Sequence, residues 1–168
     1  LDLYIGIFKQ YQKKWLKMFK TYKNILNKKE QKKLLNFAKN KIKNLGPDYP
    51  GLQSGSNLHT YKELNIFLEQ IKKYINTYNI TGCWANYTNG DHICWHNHPS
   101  SKYSLIYYLH NKDAMGVMFR NMSNTDYHLI EYTEGLDNSM VIFDSSTIHS
   151  VPNSSKKLNR YTLVMDLI

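Results

Sequence analysis

From Phe8 the apolar positions Phe8, Tyr11, Trp15, Phe19, Tyr22 and Leu26 recur every three or four residues, with lysines at 9, 13, 14, 17, 20 and 23 between them. That spacing predicts an amphipathic helix over 8–26 with one buried stripe. Leu34, Leu35, Ala38 and Ile42 predict a second helix over 29–44, ended by Gly46 and Pro47, a Gly past the last turn and a Pro that cannot continue it. Residues 46–58 carry four Gly or Pro in their first six positions and read as a loop, a connector placed where it can lie over a site. Thr60 and Glu63 have the form of a capping box, and Leu64, Phe67, Leu68, Ile71, Ile75 and Tyr78 behind it predict a third helix to about Asn79.

After Asn79 the period changes. Segments 80–88, 103–110, 115–120, 127–132, 139–143 and 158–167 are short, rich in Ile, Val, Tyr, Phe and Thr, and separated by turn residues, which predicts strands. Helices first and an antiparallel half afterwards give an α+β class with the N-terminal helices packed on one sheet. Among closed antiparallel architectures, the double-stranded β-helix, or cupin-like jelly roll, places inward side chains around a cavity. The 168 residues are accordingly read as a single domain, 1–79 mainly helical support and 80–168 the β-core.

Charge adds an asymmetry to this picture. Residues 1–80 hold 16 lysines and no arginine against 5 acidic residues, a balance of +11, and the remainder stands at −2. A basic face of this kind attracts nucleic acid or anionic surfaces, but lysines on the wet faces of helices account for it more simply, and arginine is the residue expected for planar phosphate recognition. No apolar run approaches the roughly 20 residues a bilayer requires, so no membrane partner is expected, and cytoplasmic is the default location. Cys83 and Cys94 are expected to be two buried thiols rather than a bridge. They lack the paired spacing of a zinc site.

The candidate chemistry lies between Cys83 and Leu109 and near the C-terminus. His96 and His98 stand one residue apart just after the Asn89-Gly90 turn signal; in extended backbone both point to one face and can share a metal ion. His149, after the apolar run Met140 to Phe143, is the best third ligand. His92 is an alternative, but in extended geometry it lies four residues, roughly 13 Å, from His96. His59, His110 and His128 are expected to be structural or on the surface. Trp84 and Trp95 read as core or pocket wall, with Trp95 facing away from His96, while Asn86 and Ser104 are either pocket groups or ordinary strand residues. Arg160 and Thr162 share one face of the last strand and can bind a carboxylate through charge-assisted hydrogen bonds. Lys156 and Lys157 are alternative anchors.

With these residues in place, roughly 46–168 resembles the Fe(II)- and 2-oxoglutarate-dependent oxygenases, in particular their small prolyl-hydroxylase-like bacterial and phage branch. Tyr87-Thr-Asn-Gly90 resembles the family's Y-x-x-G, leading six residues on to His96-Asn-His98 and then to a strand ending Tyr107-Tyr108-Leu109. The run from Gly135 through Val141-Ile-Phe-Asp-Ser145 to His149 resembles the strand and turn before the family's distal histidine. The resemblance implies Fe(II), 2-oxoglutarate as cosubstrate and O2. It implies Arg160 as the anchor of the far carboxylate with Thr162 beside it, and Tyr108 and Tyr87 lining the cosubstrate pocket. His98 stands where most of the family has Asp or Glu. The implied activity is a dioxygenase, a hydroxylase acting on a C–H bond of a small-molecule or peptide substrate. The alternatives from other classes are a cupin-like metal-binding domain without oxygenase activity and a nucleic-acid or anionic-surface module built on the lysine-rich helices.

Overall fold

Alternating strand faces must each be covered, and in this chain one sheet is covered on both sides. The computed structural model describes residues 19–43, 51–75, 78–111, 116–120, 127–129, 136–154 and 159–168. Ten strands are described: β1 (Phe19–Lys23), β2 (Leu52–Gln53), β3 (Ile80–Thr88), β4 (Ile93–His96), β5 (Tyr103–His110), β6 (Met118–Arg120), β7 (Tyr127–Leu129), β8 (Ser139–Asp144), β9 (Ile148–Val151) and β10 (Arg160–Leu167). They form a six-stranded sheet in the order β1-β8-β5-β10-β3-β2 and a four-stranded sheet in the order β4-β9-β6-β7. The ladders between these strands are antiparallel. This is the predicted α+β class with the two-sheet double-stranded β-helix.

The side-chain alternation of β5 explains why two apolar clusters exist. Leu105, Tyr107 and Leu109 point to the helices, where they pack with Leu34, Ala38, Leu64, Phe67 and Ile71. Ile106 and Tyr108 point between the sheets and join Val117, Phe119, Val141, Phe143 and Val164. Each fully buried side chain of this size contributes on the order of 1.5–3 kcal/mol, so neither face can be left wet. Helix α1 (Lys28–Lys41) covers the outer face, with Leu34 and Ala38 buried and Gln31 Nε2 donating to the Leu109 carbonyl at 2.9 Å. It begins at a capping box between Asn27 and Glu30, both bonds 3.0 Å. Its end at Lys41 falls a few residues before the predicted 44, because Lys43 turns extended and pairs with Gln53. Gly46 and Pro47 lie outside the described residues.

Three helical or loop expectations are corrected. The predicted first helix, described only from residue 19, is strand β1 over Phe19–Lys23, paired with β8 at the sheet edge. Phe19 stacks on Phe119 between the sheets, centroids 4.9 Å apart, and Tyr22 packs on Tyr74 on the helix side at 4.3 Å. A spacing of three fits one helix face, yet it also puts one aromatic on each face of a strand whose two sides are both covered. The open edge of β8 decided the outcome by offering backbone partners. The rest of that prediction, 8–18, lies outside the described residues.

The third helix is shorter than predicted. Two 3-10 turns, Leu58–Thr60 and Lys62–Leu64, precede helix α2 (Asn65–Ile71). The expected Thr60–Glu63 box does not form: Thr60 Oγ1 donates to the Asn57 carbonyl at 2.9 Å instead. Asn79 already exchanges backbone hydrogen bonds with Ile168, 2.9 and 3.0 Å, so the chain is extended before β3 begins. The predicted loop contains strand β2, which can approach β3 because Gly51 has φ +87° and a Cβ there would sit 2.4 Å from the Tyr87 carbonyl oxygen. Among the described residues no helix is long and apolar enough to cross a membrane. Cys83 is buried and Cys94 exposed, both free thiols, so the expected burial of Cys94 is also corrected.

Candidate metal centre and adjoining cavity

Strand pairing creates the centre. The β4–β9 ladder puts His96 directly opposite His149, ring centroids 4.2 Å apart. His98 follows two residues beyond β4, where its backbone N–H donates to the Ser145 carbonyl at 2.9 Å and brings its ring within 5.2 Å of both. One ligand atom from each of the three lies within 4.8 Å of the others, close enough to hold one ion between them.

Hydrogen bonding fixes which nitrogen each ring presents. His96 Nδ1 lies 2.7 Å from the Cys94 carbonyl oxygen and His149 Nδ1 3.0 Å from that of Thr147. A carbonyl only accepts, so both Nδ1 atoms carry the proton and both Nε2 lone pairs are left for a metal. His98 Nδ1 faces the Asp166 carboxylate at 2.7 and 2.9 Å, with the same consequence. Three neutral imidazoles with their Nε2 atoms free form a donor set that suits Fe, Zn, Cu or Ni. The residues therefore fit a first-row divalent metal.

The electrostatics agree. Burial, with neighbouring His96 adding to it, lowers the His149 pKa to about 3, and burial likewise lowers that of His96. Both rings are neutral at pH 7, as a ligand must be. A consequence for the metal-free protein follows from linkage. Below pH 6.5 an unfolded chain takes up a proton that native His149 refuses, so stability is complete above that pH and declines as pH falls toward about 3. Between pH 7 and pH 5 this one residue should account for about 2 kcal/mol. Urea unfolding of the metal-free parent and His149→Gln at both pH values measures it; equal pH dependence in the two proteins contradicts the assignment.

The histidines open onto a cavity of about 430 Å³ between the sheets. Alternation along β10 sends Arg160, Thr162 and Val164 into its wall, and β3 adds Trp84 and Asn86. The Arg160 guanidinium, 3% exposed as a residue, lies 5.4 Å over the Tyr108 ring. Thr162 Oγ1 is buried and has no hydrogen-bond partner among the described residues. No Asp or Glu lines this cavity among the described residues. A guanidinium and a buried hydroxyl in a wall without carboxylates suit an anionic group entering the cavity, which both can meet with hydrogen bonds.

Of the residues singled out from the sequence, His96, His98, His149, Arg160 and Thr162 come together on one cavity. Tyr108 supports Arg160 from beneath, and its hydroxyl accepts from the Val117 N–H at 3.2 Å. Tyr87 is placed elsewhere: it alternates with Asn86 on β3, so it faces outward onto Tyr161, 4.7 Å away, and donates to Asn159. His92 is bonded to Ser150 rather than directed at the triad, and His110 faces Asp137 at 3.7 Å. His59 lies on the 3-10 turn, while the side chain of His128 and residues Lys156 and Lys157 lie outside the described set. Trp84 is cavity wall and also stacks on His98 at 5.6 Å and 11°.

Two residues near the site were not picked out from sequence. Gln53 reaches the cavity only because β2 pairs with β3. Asp166 carried a legible signal, the one acid on its strand and in the same alternation as Arg160, Thr162 and Val164.

No family model matches this chain, and no curated protein does. Solved structures do. An oxidoreductase of the 2OG-Fe(II) oxygenase family from Burkholderia pseudomallei superposes with a TM-score of 0.64 at 11% identity, over 89% of this chain and 83% of that one. The fold is that of the 2-oxoglutarate–Fe(II) oxygenases. A Pseudomonas putida prolyl-4-hydroxylase matches at TM-score 0.60 and 11% identity, over 88% and 91% of the two chains. The non-haem alpha-ketoglutarate-dependent epimerase SnoN from nogalamycin biosynthesis matches at 0.69 and 7%, over 89% and 77%. The oxygenase fold thus hosts more than one reaction outcome, and in this chain its cavity is lined by the three histidines and Arg160 described above.

Proposed function

We propose that this protein is an Fe(II)- and 2-oxoglutarate-dependent dioxygenase that hydroxylates a C–H bond of a small-molecule or peptide substrate, with release of succinate and CO2. The observation that carries the reading is the convergence, on one cavity, of three metal-ready Nε2 atoms and a buried Arg–Thr pair. Bound iron supplies the oxygen activation that no side chain provides. His96, His98 and His149 would hold the ion through their Nε2 atoms. Arg160, steadied on Tyr108, and Thr162 receive the far carboxylate of 2-oxoglutarate and so orient its keto acid end toward the histidines. Ile106, Val117 and Val164 line the space between with apolar surface and limit water there.

Turnover of 2-oxoglutarate without added substrate tests the reading before any substrate is known. Iron-loaded protein in air should release succinate and CO2 slowly, and the same protein loaded with zinc should release none. Succinate that is independent of iron would contradict it. A second reading, metal binding without oxygenase activity, is favoured by the all-imidazole triad and requires that 2-oxoglutarate not engage the metal.

A further inference from the structure

Three histidines are neutral donors, and the triad contains no carboxylate among the described residues. The carboxylate that touches it does so from behind. Asp166 Oδ2 lies 2.7 Å and Oδ1 2.9 Å from His98 Nδ1, and the pair is nearly buried, 13% and 14% exposed at the side chains. Asp166 is itself held. Ser104 Oγ donates to its Oδ1 at 2.8 Å, Ser104 is bonded to Ser145 Oγ at 2.9 Å, and the Ser145 carbonyl accepts the His98 N–H. Ser104 and Ser145 are both fully buried, so a polar chain from β10 through β5 to the β8–β9 turn meets His98 at its ring and at its backbone N–H. Trp84 stacks on a face of the same ring, centroids 5.6 Å apart.

We infer that Asp166 is a positioning residue for the metal centre: it holds the proton on His98 Nδ1, aims Nε2 at the ion, and makes the His98–Asp166 pair the anionic ligand unit of the triad. The inference rests on the proposed metal site. A protonated imidazole nitrogen bound to a carboxylate is a more basic ligand at its other nitrogen than one bound to a carbonyl, as His96 and His149 are. His98 therefore differs in kind from its two neighbours. The unit formed by a neutral imidazole and an ionised carboxylate carries one negative charge, and it delivers that charge without a carboxylate oxygen on the metal.

The test is Co(II) and Zn(II) binding by calorimetry to the metal-free protein in two backgrounds. With His98 in place, Asp166→Ala and Asp166→Asn should weaken binding about 10- to 100-fold, the usual effect of losing such a partner. In a His98→Asp background the sign should reverse, because two carboxylates then face each other across the site; His98→Asp with Asp166→Asn should bind metal more tightly than His98→Asp alone. A purely structural role for Asp166 predicts the same loss in both backgrounds, and that result overturns the inference, as does affinity within about twofold of the parent in Asp166→Ala. Should either Asp166 single variant fail to fold, the comparison in the His98→Asp background decides. Failure of the underlying reading is distinct: the parent protein itself would then bind neither metal.

Discussion

His149→Ala should abolish iron-dependent release of succinate, reducing it to the level of the metal-free protein. His149 is the most buried member of the triad, fixed by its position in the four-stranded sheet and by the Thr147 carbonyl, and opposite His96 in register. Its loss removes one of three protein donors and the one with least freedom to be replaced by water, since Phe143 packs edge-on against it at 4.9 Å. Two protein donors hold Fe(II) more weakly than three. Calorimetry with Co(II) should show affinity lost by at least about 100-fold, a larger effect than removing a residue behind a ligand. Circular dichroism checks that the sheets remain. Full succinate release by a folded His149→Ala protein would refute the site.

Arg160→Ala should act on the cosubstrate and spare the metal. A charge-assisted pair in a buried cavity contributes on the order of 1.5–3 kcal/mol, so 2-oxoglutarate affinity should fall roughly 10- to 100-fold while Co(II) affinity stays within about twofold. Arg160→Lys should recover only part of the loss, because an ammonium cannot reproduce the planar fork or its stacking on Tyr108. Monocarboxylic 2-oxo acids, which lack the far carboxylate, should lose their disadvantage against 2-oxoglutarate in Arg160→Ala. Titration of cosubstrate into the Co(II)-loaded proteins measures all three, and an unchanged 2-oxoglutarate affinity in Arg160→Ala would mean that another cation anchors it.

What could be read from the sequence follows from how local each signal is. β3, β5, β8 and β10 are long alternating or apolar runs bounded by turns, and their predicted limits agree with the structure within two residues. β4 is a shorter run around Cys94 and Trp95 and gains strand character only by pairing with β9, so it announced itself through its histidines alone. β1 went astray because a three-residue aromatic spacing serves a helix and a strand covered on both faces equally well, and only the free edge of β8 separates the two. The helix before β3 was overextended because Ile75 and Tyr78 continue the period while Asn79 is already committed to Ile168. At the site, Arg160 and Thr162 were legible because one strand carries both. Tyr87 was misplaced for the converse reason: its neighbour Asn86 faces the cavity, and a residue one step along a strand faces the other way. Asp166 shares the alternation of Arg160 and Thr162, but its pairing with His98 needed the third dimension, since 68 positions separate the two.

The central claim is an iron centre that takes 2-oxoglutarate through its keto acid end, and the most direct measurement is an anaerobic titration of metal-free protein, first with Fe(II) and then with 2-oxoglutarate. The account predicts a weak visible charge-transfer absorption that appears only when both are present. Measurable Fe(II) binding with no new absorption at saturating 2-oxoglutarate would contradict it and leave a metal-binding domain without oxygenase chemistry.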